Sequence, residues 1–257
     1  MQVNDVNIQV ATINGTGSQS ANLILMRSIF YMGIPVAAKN LFPSNIAGLP
    51  TWYTVRAHHK GYQANKQEID IRVVMNPNTV YEDIRSLRPG AVIIHDADMK
   101  VDHALREDHI NYGVPFSSLV GEATDNVKLK KKVINMLYVG VLAHLLKIAP
   151  KAIEKAVKKQ FGKKEKIIEM NSNAIQLGRN WAAEHLEKSD EFTLESLDET
   201  QNKILIEGHN AAALGSLMAG CTFLAWYPIT PSSSLCENLI GYFNQYRVDD
   251  EKCRLVI

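Results

Sequence analysis

The stretch "VNIQVATINGTGSQSANLILMRSIFY", residues 6–31, decides the fold class of this chain. Val6 to Ile13 alternates loosely and is rich in β-branched residues, which predicts a strand. Residues 14–18, "NGTGS", are typical of a loop, and Ala21 to Tyr31 carries apolar residues at helical spacing until Gly33. A strand, a glycine loop and a helix in that order indicate an α/β protein.

The same alternation of strands and helices continues along the chain. Hydrophobic patterning predicts strands at 34–38, 69–75 and 91–95, and helices at 79–87 and from about 124 to 146. Strands that alternate with helices favour a Rossmann-like, mostly parallel sheet that is covered on both faces.

Changes in pattern divide the chain into three parts. Residues 1–190 form a first domain, whose segment 149–188 is a purely helical, lysine-rich extension. Residues 191–203 are acidic and weakly periodic, which predicts a linker. Residues 204–257 begin a new α/β pattern, with a short strand in "KILIEG", a helix in "NAAALGSLMAG" and a strand in "TFLAWY".

Composition excludes several classes of protein. The chain has 257 residues, 46% of them apolar, and a formal net charge of +1, which gives no overall attraction to nucleic acid or membrane. The apolar run from Val133 to Leu146 is too short to span a bilayer, and the N-terminus lacks the pattern of a signal peptide. Three scattered cysteines without a CxxC pair indicate neither a disulfide framework nor a metal cluster. We therefore expect a cytoplasmic protein.

The glycine loop is a candidate anion site. In "NGTGSQSAN", residues 14–22, backbone amides and a helix N-terminus suit a negative group. The loop is not a dinucleotide fingerprint, because Ser20 stands where the third glycine would be and the second strand ends in "AKN" without an acid. A phosphate-bearing ligand and a purely structural turn both remain open, whereas NAD is disfavoured.

Three other polar segments allow two readings each. Arg56 could grip a carboxylate or phosphate with two hydrogen bonds, or pair with a local acid. The segment "HDADMKVDH", residues 95–103, could hold a metal only if its side chains converge, so a solvated loop is favoured. The seven lysines between 151 and 166 predict a solvated helical face, or else a docking surface for an acidic partner or phosphates.

A stiff turn, "YPITP" at residues 227–231, follows the apolar strand of the second domain. Its prolines fix the backbone, and the three serines after it offer a cap to the next helix. Ligand sites of α/β sheets lie at such strand ends, although a structural turn would look the same.

Two segments together resemble the 2-oxoacid:ferredoxin oxidoreductases, and specifically the 2-oxoglutarate synthase type in which the γ and α parts are fused. Residues 14–56, followed by "IDIRVVMNP" at 69–77, resemble the γ domain. Residues 207–235, "EGHNAAALGSLMAGCTFLAWYPITPSSSL", resemble the opening of the pyrimidine-binding domain of the α subunit, including its YPITPSS turn.

The resemblance implies a thiamine diphosphate enzyme that oxidatively decarboxylates a 2-oxoacid, transfers the acyl group to coenzyme A and passes electrons to ferredoxin. A partner β subunit is expected to hold most of the thiamine diphosphate and its magnesium, and partner chains are expected to hold the iron–sulfur clusters. The implied cofactor-binding residues are Tyr227, Pro228, Ile229 and Thr230, with Thr230 catalytic. The implied coenzyme A contacts are Gly15, Thr16, Gly17, Ser18 and Arg56. An oligomer without nucleic acid or membrane partners is expected.

The second domain is short for its family. A pyrimidine-binding domain has ordinary domain size, about 150–200 residues, and residues 204–257 supply only part of it. We therefore expect a fragment or split gene product that is inactive alone, most consistent with an α-subunit portion acting on 2-oxoglutarate. The alternatives are a stand-alone coenzyme A-binding or assembly module and a nicotinamide dehydrogenase.

Overall fold

A six-stranded sheet lies at the centre of the larger of two units, Met1–Asn202 and Lys203–Ile257. The computed structural model describes residues 2–41, 46–64, 66–229, 231–246 and 254–256. The described strands and helices of the first unit are, in chain order, β1 (Gln2–Val3), β2 (Asp5–Ile13), α1 (Ser18–Tyr31), β3 (Val36–Leu41), β4 (Pro50–His58), β5 (Ile71–Val74), α2 (Val80–Arg85), β6 (Val92–Asp96), β7 (Ile110–Val114), α3 (Phe116–Ala123), α4 (Val127–Leu145), α5 (Pro150–Phe161), α6 (Glu165–His185) and β8 (Phe192–Thr193).

The sheet confirms the expected α/β class. Its strand order is β3-β4-β2-β5-β6-β7, with parallel pairing from β2 through β5 and β6 to β7. Only β4 runs against the others of this sheet, pairing antiparallel with β2 and β3. Every residue of β5 and β6 is buried, as expected for strands of a parallel sheet that is covered on both faces.

Two glycines let α4 and α6 cross with their backbones in contact. A Cβ added to Gly140 would lie 2.1 Å from the carbonyl oxygen of Ile175, and one added to Gly178 would lie 2.3 Å from that of Leu137. Real Cβ atoms do not approach a carbonyl oxygen so closely, so glycine is required at both positions. This crossing fixes α4, which also packs against α1.

The predicted linker, 191–203, is largely bound to the first unit, and that prediction was wrong for most of its length. Strand β8 pairs in parallel with β1, and the side chains of Phe192 and Leu194 are buried. Farther on, the amide of Leu197 donates to the carbonyl of Met32 at 2.8 Å. The segment is anchored because its apolar residues complete the first unit's core.

The second unit is a small α/β arrangement, and its described elements are α7 (Gly208–Met218), β9 (Phe223–Ala225), α8 (Ser233–Tyr246) and β10 (Arg254–Val256). Helices α7 and α8 pack through Ala213, Leu239 and Phe243, and β9 pairs in parallel with β10. The strand expected in "KILIEG" does not form. Ile204 is 73% exposed, and no described strand pairs with this segment.

No helix in the described ranges of either unit combines the length and apolar content that a bilayer crossing requires.

Candidate functional site

The loop between β2 and α1 depends on two glycines in the left-handed region of φ. Gly15 has φ 88° and Gly17 has φ 85°, a conformation that other residues adopt only with strain. The loop is closed by Thr16, whose hydroxyl donates to the carbonyl of Ile13 at 2.7 Å. Gly17 is the N-cap of α1, and no side-chain cap is formed there by the described residues. The first amides of α1 are therefore left for another acceptor.

A pocket of about 330 Å³ opens at this loop. Contributions come from the loop, the first turns of α1, the end of β3, the start of β4 and one residue of α4, among them Gly17, Ser18, Asn22, Asn40, Thr51 and Lys132. The pocket lies at the carboxyl end of β2. From there α1 leads to β3 on one side of the sheet, whereas β5 to β7 lie on the other side. Open α/β sheets bind ligands where the strand order diverges in this way.

Buried polar side chains fix the glycine loop and the first turns of α1 by hydrogen bonds. Asn135 of α4 donates from Nδ2 to the carbonyl of Thr16 at 2.9 Å, and Thr12 donates to Ser18 Oγ at 2.9 Å. The hydroxyl of Tyr138 donates to Asn22 Oδ1 at 2.9 Å. Complete burial raises the pKa of Tyr138 well above its ordinary value of 10.0, so this hydroxyl stays a donor. The loop is thus preorganised by the core of the unit.

The electrostatics of the pocket favour an anion. None of its described lining residues is acidic, and Lys132 supplies a positive charge. The partial positive charge at the N-terminus of α1 has the same sign. The arrangement can hold a negatively charged group by amide and ammonium hydrogen bonds.

Of the residues expected at the loop, Gly15, Gly17 and Ser18 line the pocket. Thr16 turns its hydroxyl back to Ile13 instead. The sequence reasoning missed Lys132, because α4 brings this side chain to the loop from more than a hundred residues away.

Arg56 does not reach the loop, so the expectation of one joint site needs correction. In the antiparallel register of β2 and β4, Arg56 lies opposite Asn7, whereas the loop follows Ile13. Six strand residues separate the two points by about 20 Å. The guanidinium instead pairs with Asp5 at 2.5 Å and donates to the carbonyl of Ala57 at 3.0 Å. Pairing with a local acid, the second reading of Arg56, is the one observed.

The Asp5 carboxylate is shared by two basic side chains. Its oxygens lie 2.5 Å from Arg56 Nη1 and 3.7 Å from His58 Nε2. Burial acts to raise the pKa of Asp5, but the hydrogen bond and charge of Arg56 outweigh it and the pKa is lowered. Burial lowers the pKa of His58, and this effect exceeds the opposing attraction to Asp5. The cluster links β2 and β4 at the end of the sheet opposite the pocket.

The stiff turn of the second unit is exposed in this chain. Tyr227 is 77% exposed and Ile229 is 60% exposed, with Pro228 between them also exposed. Thr230, the predicted catalytic residue, lies outside the described residues. The sequence suggested that the serines cap α8 by accepting hydrogen bonds from its first amides. The hydroxyls of Ser232 and Ser233 instead donate to the carbonyl of Ile229, at 2.8 Å and 3.3 Å.

The polar segment after β6 forms no metal centre. Among the described residues, no group of three or more His, Cys, Asp or Glu side chains converges in a geometry that could hold a metal ion. Asp96 instead accepts two hydrogen bonds from Ser117, from its amide at 3.1 Å and its hydroxyl at 2.5 Å. The carboxylate therefore anchors the first turn of α3. The following residues, 97–98, are exposed, as expected of a solvated loop.

The lysine run occupies α5 and the beginning of α6. Lys155 lies over the ring of Tyr31 at 4.3 Å, and Lys158 pairs with Glu154 at 2.5 Å. All seven lysines are exposed, as both readings of the run require, and the docking surface stays a prediction.

Residues 7–181 match the pyruvate ferredoxin/flavodoxin oxidoreductase family. This match covers more than half of the chain, and the chain therefore belongs to that family. The resemblance drawn from the glycine loop and the YPITPSS turn is confirmed at this level.

Among relatives, the α subunit of 2-oxoacid:ferredoxin oxidoreductase 2 from Aeropyrum pernix is 22% identical over 267 aligned positions, covering 89% of this chain and 42% of the relative. A solved structure of 2-oxoglutarate:ferredoxin oxidoreductase from Magnetococcus marinus, with 2-oxoglutarate, coenzyme A and succinyl-CoA bound, superposes with a TM-score of 0.83 at 25% identity, covering 98% of this chain and 43% of that one. The chain therefore spans less than half the length of these two relatives.

A smaller neighbour matches only part of this chain. The γ subunit of a keto/oxoacid ferredoxin oxidoreductase from Geobacter sulfurreducens superposes with a TM-score of 0.56 at 19% identity, covering 70% of this chain and 99% of that subunit. At this identity the likeness shows a shared fold.

Proposed function

We propose that this chain is a portion of the α subunit of a 2-oxoacid:ferredoxin oxidoreductase that converts 2-oxoglutarate to an acyl-CoA and reduces ferredoxin in the cytoplasm. The superposition on the Magnetococcus marinus enzyme, which extends over 98% of the chain, carries the proposal. In this proposal residues 1–190 correspond to the γ domain and residues 204–257 to part of the pyrimidine-binding domain.

The exposed turn is the proposed contribution to thiamine diphosphate binding. Tyr227, Pro228 and Ile229 present apolar surface to solvent, which suits the face of an aromatic ring brought by a partner chain. Thr230 would contribute a hydroxyl near the reacting carboxylate. Thiamine diphosphate, when bound, supplies the electron sink for decarboxylation. A β subunit would hold most of this cofactor and its magnesium, and partner chains would hold the iron–sulfur clusters.

The glycine loop is the proposed contact for coenzyme A. Its residues Gly15, Gly17 and Ser18 line the donor-rich pocket, and Thr16 shapes the loop. Arg56 has no part in this site, because its guanidinium is paired with Asp5. The loop needs no reordering when it binds, because the core already fixes it.

Reconstitution tests the proposal. The isolated chain should not reduce a viologen acceptor with 2-oxoglutarate, coenzyme A and thiamine diphosphate. A complex with the remainder of an α subunit and a β subunit should do so, and more efficiently with 2-oxoglutarate than with pyruvate. Turnover by the purified chain alone would contradict the subunit assignment, and a complex that prefers pyruvate would contradict the substrate.

A stand-alone coenzyme A-binding module is the second candidate. One observation favours it, namely that every described residue lining the pocket belongs to the first unit. If the chain binds coenzyme A but never supports 2-oxoacid oxidation in any reconstituted complex, this second function replaces the first.

A further inference from the structure

The positive charge of the chain is concentrated in one helical segment. Residues 150–166 contain seven lysines and two glutamates, a net charge of +5, whereas the other 240 residues carry 21 basic and 25 acidic side chains, a net charge of −4. The formal net charge of +1 thus hides a basic segment within a weakly acidic remainder. Such an excess creates a positive potential at one place on the surface.

Helix α5 presents part of this charge on one face. Its four lysines recur at helical spacing on one side of the helix and are all exposed: Lys151, Lys155, Lys158 and Lys159. The opposite side is apolar and buried, since Ile153 is 7% exposed and Val157 is 1% exposed, and α5 packs against α1. This burial fixes the rotation of α5, so its lysines are held away from the core.

The basic surface continues around the turn between α5 and α6. Lys163, Lys164 and Lys166 are exposed there and, with the lysines of α5, form one lysine surface. Gly162 in this turn has φ 63°, and a Cβ added to it would meet no described atom within 4 Å, so the turn is open to a partner. Positive side chains at a helix N-terminus oppose the helix dipole. The stability of α6 therefore does not explain these lysines.

The chain itself neutralises little of the lysine surface. Lys158 pairs with Glu154 at 2.5 Å, and the ammonium of Lys155 lies over the ring of Tyr31 at 4.3 Å. The other five lysines form no ion pair with any residue that the structure describes. Their ammonium groups are therefore available to carboxylates from outside the chain.

We propose that the lysine surface is a docking site for an acidic segment of another polypeptide, whose carboxylates pair with Lys159, Lys163 and Lys164 beside the open turn. Nucleic-acid surfaces combine basic residues with aromatic rings, whereas residues 150–166 contain no arginine and one aromatic residue, the half-buried Phe161. A membrane is disfavoured because the apolar side of α5 is already buried against α1. The proposed function assigns no role to this surface, so the two can fail separately.

Fluorescence anisotropy of labelled decaglutamate with the full chain tests the site. Reversing three charges together, with Lys159→Glu, Lys163→Glu and Lys164→Glu, should raise Kd roughly tenfold or more, because attractive contacts become repulsive. Binding by the unaltered chain should also weaken as salt is added, since ions screen exposed charges. Absence of decaglutamate binding at millimolar peptide and about 0.15 M salt would overturn the proposal.

A second triple variant controls for net charge. Lys39→Glu, Lys60→Glu and Lys100→Glu reverse three exposed lysines outside the lysine surface. This control carries the same net charge as the first variant, and its Kd for decaglutamate should stay within about threefold of the unaltered chain, because distant charges are screened. Both variants should keep the circular dichroism spectrum, since all six side chains are exposed. Equal losses of affinity in the two would mean that only net charge matters and would refute a localised site.

Competition decides the class of partner. Duplex DNA and phosphatidylserine vesicles should displace decaglutamate less effectively than an unlabelled acidic peptide does. If either one binds more tightly than the peptide and loses its affinity in the first triple variant, the surface belongs to nucleic acid or membrane and the proposal fails. Sedimentation is the last check, because self-association that the same variant abolishes would assign the surface to a second copy of the chain instead.

Discussion

Replacing Gly178 by alanine tests the close crossing of α4 and α6. The new Cβ would lie 2.3 Å from the carbonyl oxygen of Leu137, and backbone on both sides leaves no flexible side chain to move away. The helices must separate by about 1 Å to restore normal contact. Overpacking of this kind costs about 1–3 kcal/mol, which exceeds the roughly 0.5–1 kcal/mol that alanine gains over glycine in a helix.

The assay is thermal unfolding followed by circular dichroism. A loss of about 2 kcal/mol in the free energy of unfolding lowers Tm by roughly 4–8 °C in a unit of this size. Gly121→Ala is the control, because a Cβ there meets only Lys130 Nζ, at 3.8 Å, and should leave stability unchanged or slightly higher. If Gly178→Ala has the Tm of the control, the inferred clash is wrong.

The displacement also predicts a functional effect. Helix α4 carries Asn135, which ties down the glycine loop, and Lys132, which covers it. Gly178→Ala should therefore weaken the proposed coenzyme A binding at temperatures where the protein is still folded, although Gly178 is not among the described residues that line the pocket.

Three further substitutions address other regions. The pKa of Asp5 is lowered from 3.8 in the folded chain, so the contribution of its carboxylate to stability is present above that pH and disappears as the pH falls below it. Asp5→Asn should therefore flatten the acid side of a curve of Tm against pH. An unchanged acid side would show that the pairing of Asp5 with Arg56 does not stabilise the fold. Tyr112→Phe removes a hydroxyl that donates to the buried Asp190 at 2.9 Å and should cost about 1–3 kcal/mol in urea unfolding, whereas a loss near zero would mean that water replaces it. In a reconstituted complex Thr230→Val should lower turnover roughly ten- to hundredfold at similar stability, and a less stable but fully active variant would exclude a catalytic role.

Local patterns predicted most of the fold. The apolar runs of β5 and β6 and the helical spacing in α1 are properties of neighbouring residues, so the sequence sufficed to find them. The position of β4 between β3 and β2 was not predictable, because strand order depends on pairing between distant segments. The pairing of β8 with β1 was missed for the same reason, and it turned an expected linker into part of the first unit.

In the candidate site, too, the local features were predictable and the contacts between distant segments were not. Glycines close together in the sequence revealed the loop, because their backbone conformation is a local requirement. Asn22 was inside the quoted loop segment, but the orientation of its side chain depends on a hydrogen bond from Tyr138, which lies on the distant helix α4. The pairing of Arg56 with Asp5 depends on the antiparallel register of β2 and β4, and no spacing in the sequence predicts that register.

The contact between the two ends of the first unit has a consequence for biosynthesis. Asn4 donates to the carbonyl of Glu195 and accepts its amide, both at 2.9 Å, so the beginning of the chain waits for a partner 191 residues later. At about 5–20 residues per second, translation needs roughly 10–40 s to supply it. During that interval the newly made sheet lacks the two hydrogen bonds between Asn4 and Glu195. A nascent chain would then depend on chaperones or on the ribosome surface for protection from aggregation. Recombinant fragments that stop before Glu195 would leave the same gap permanently.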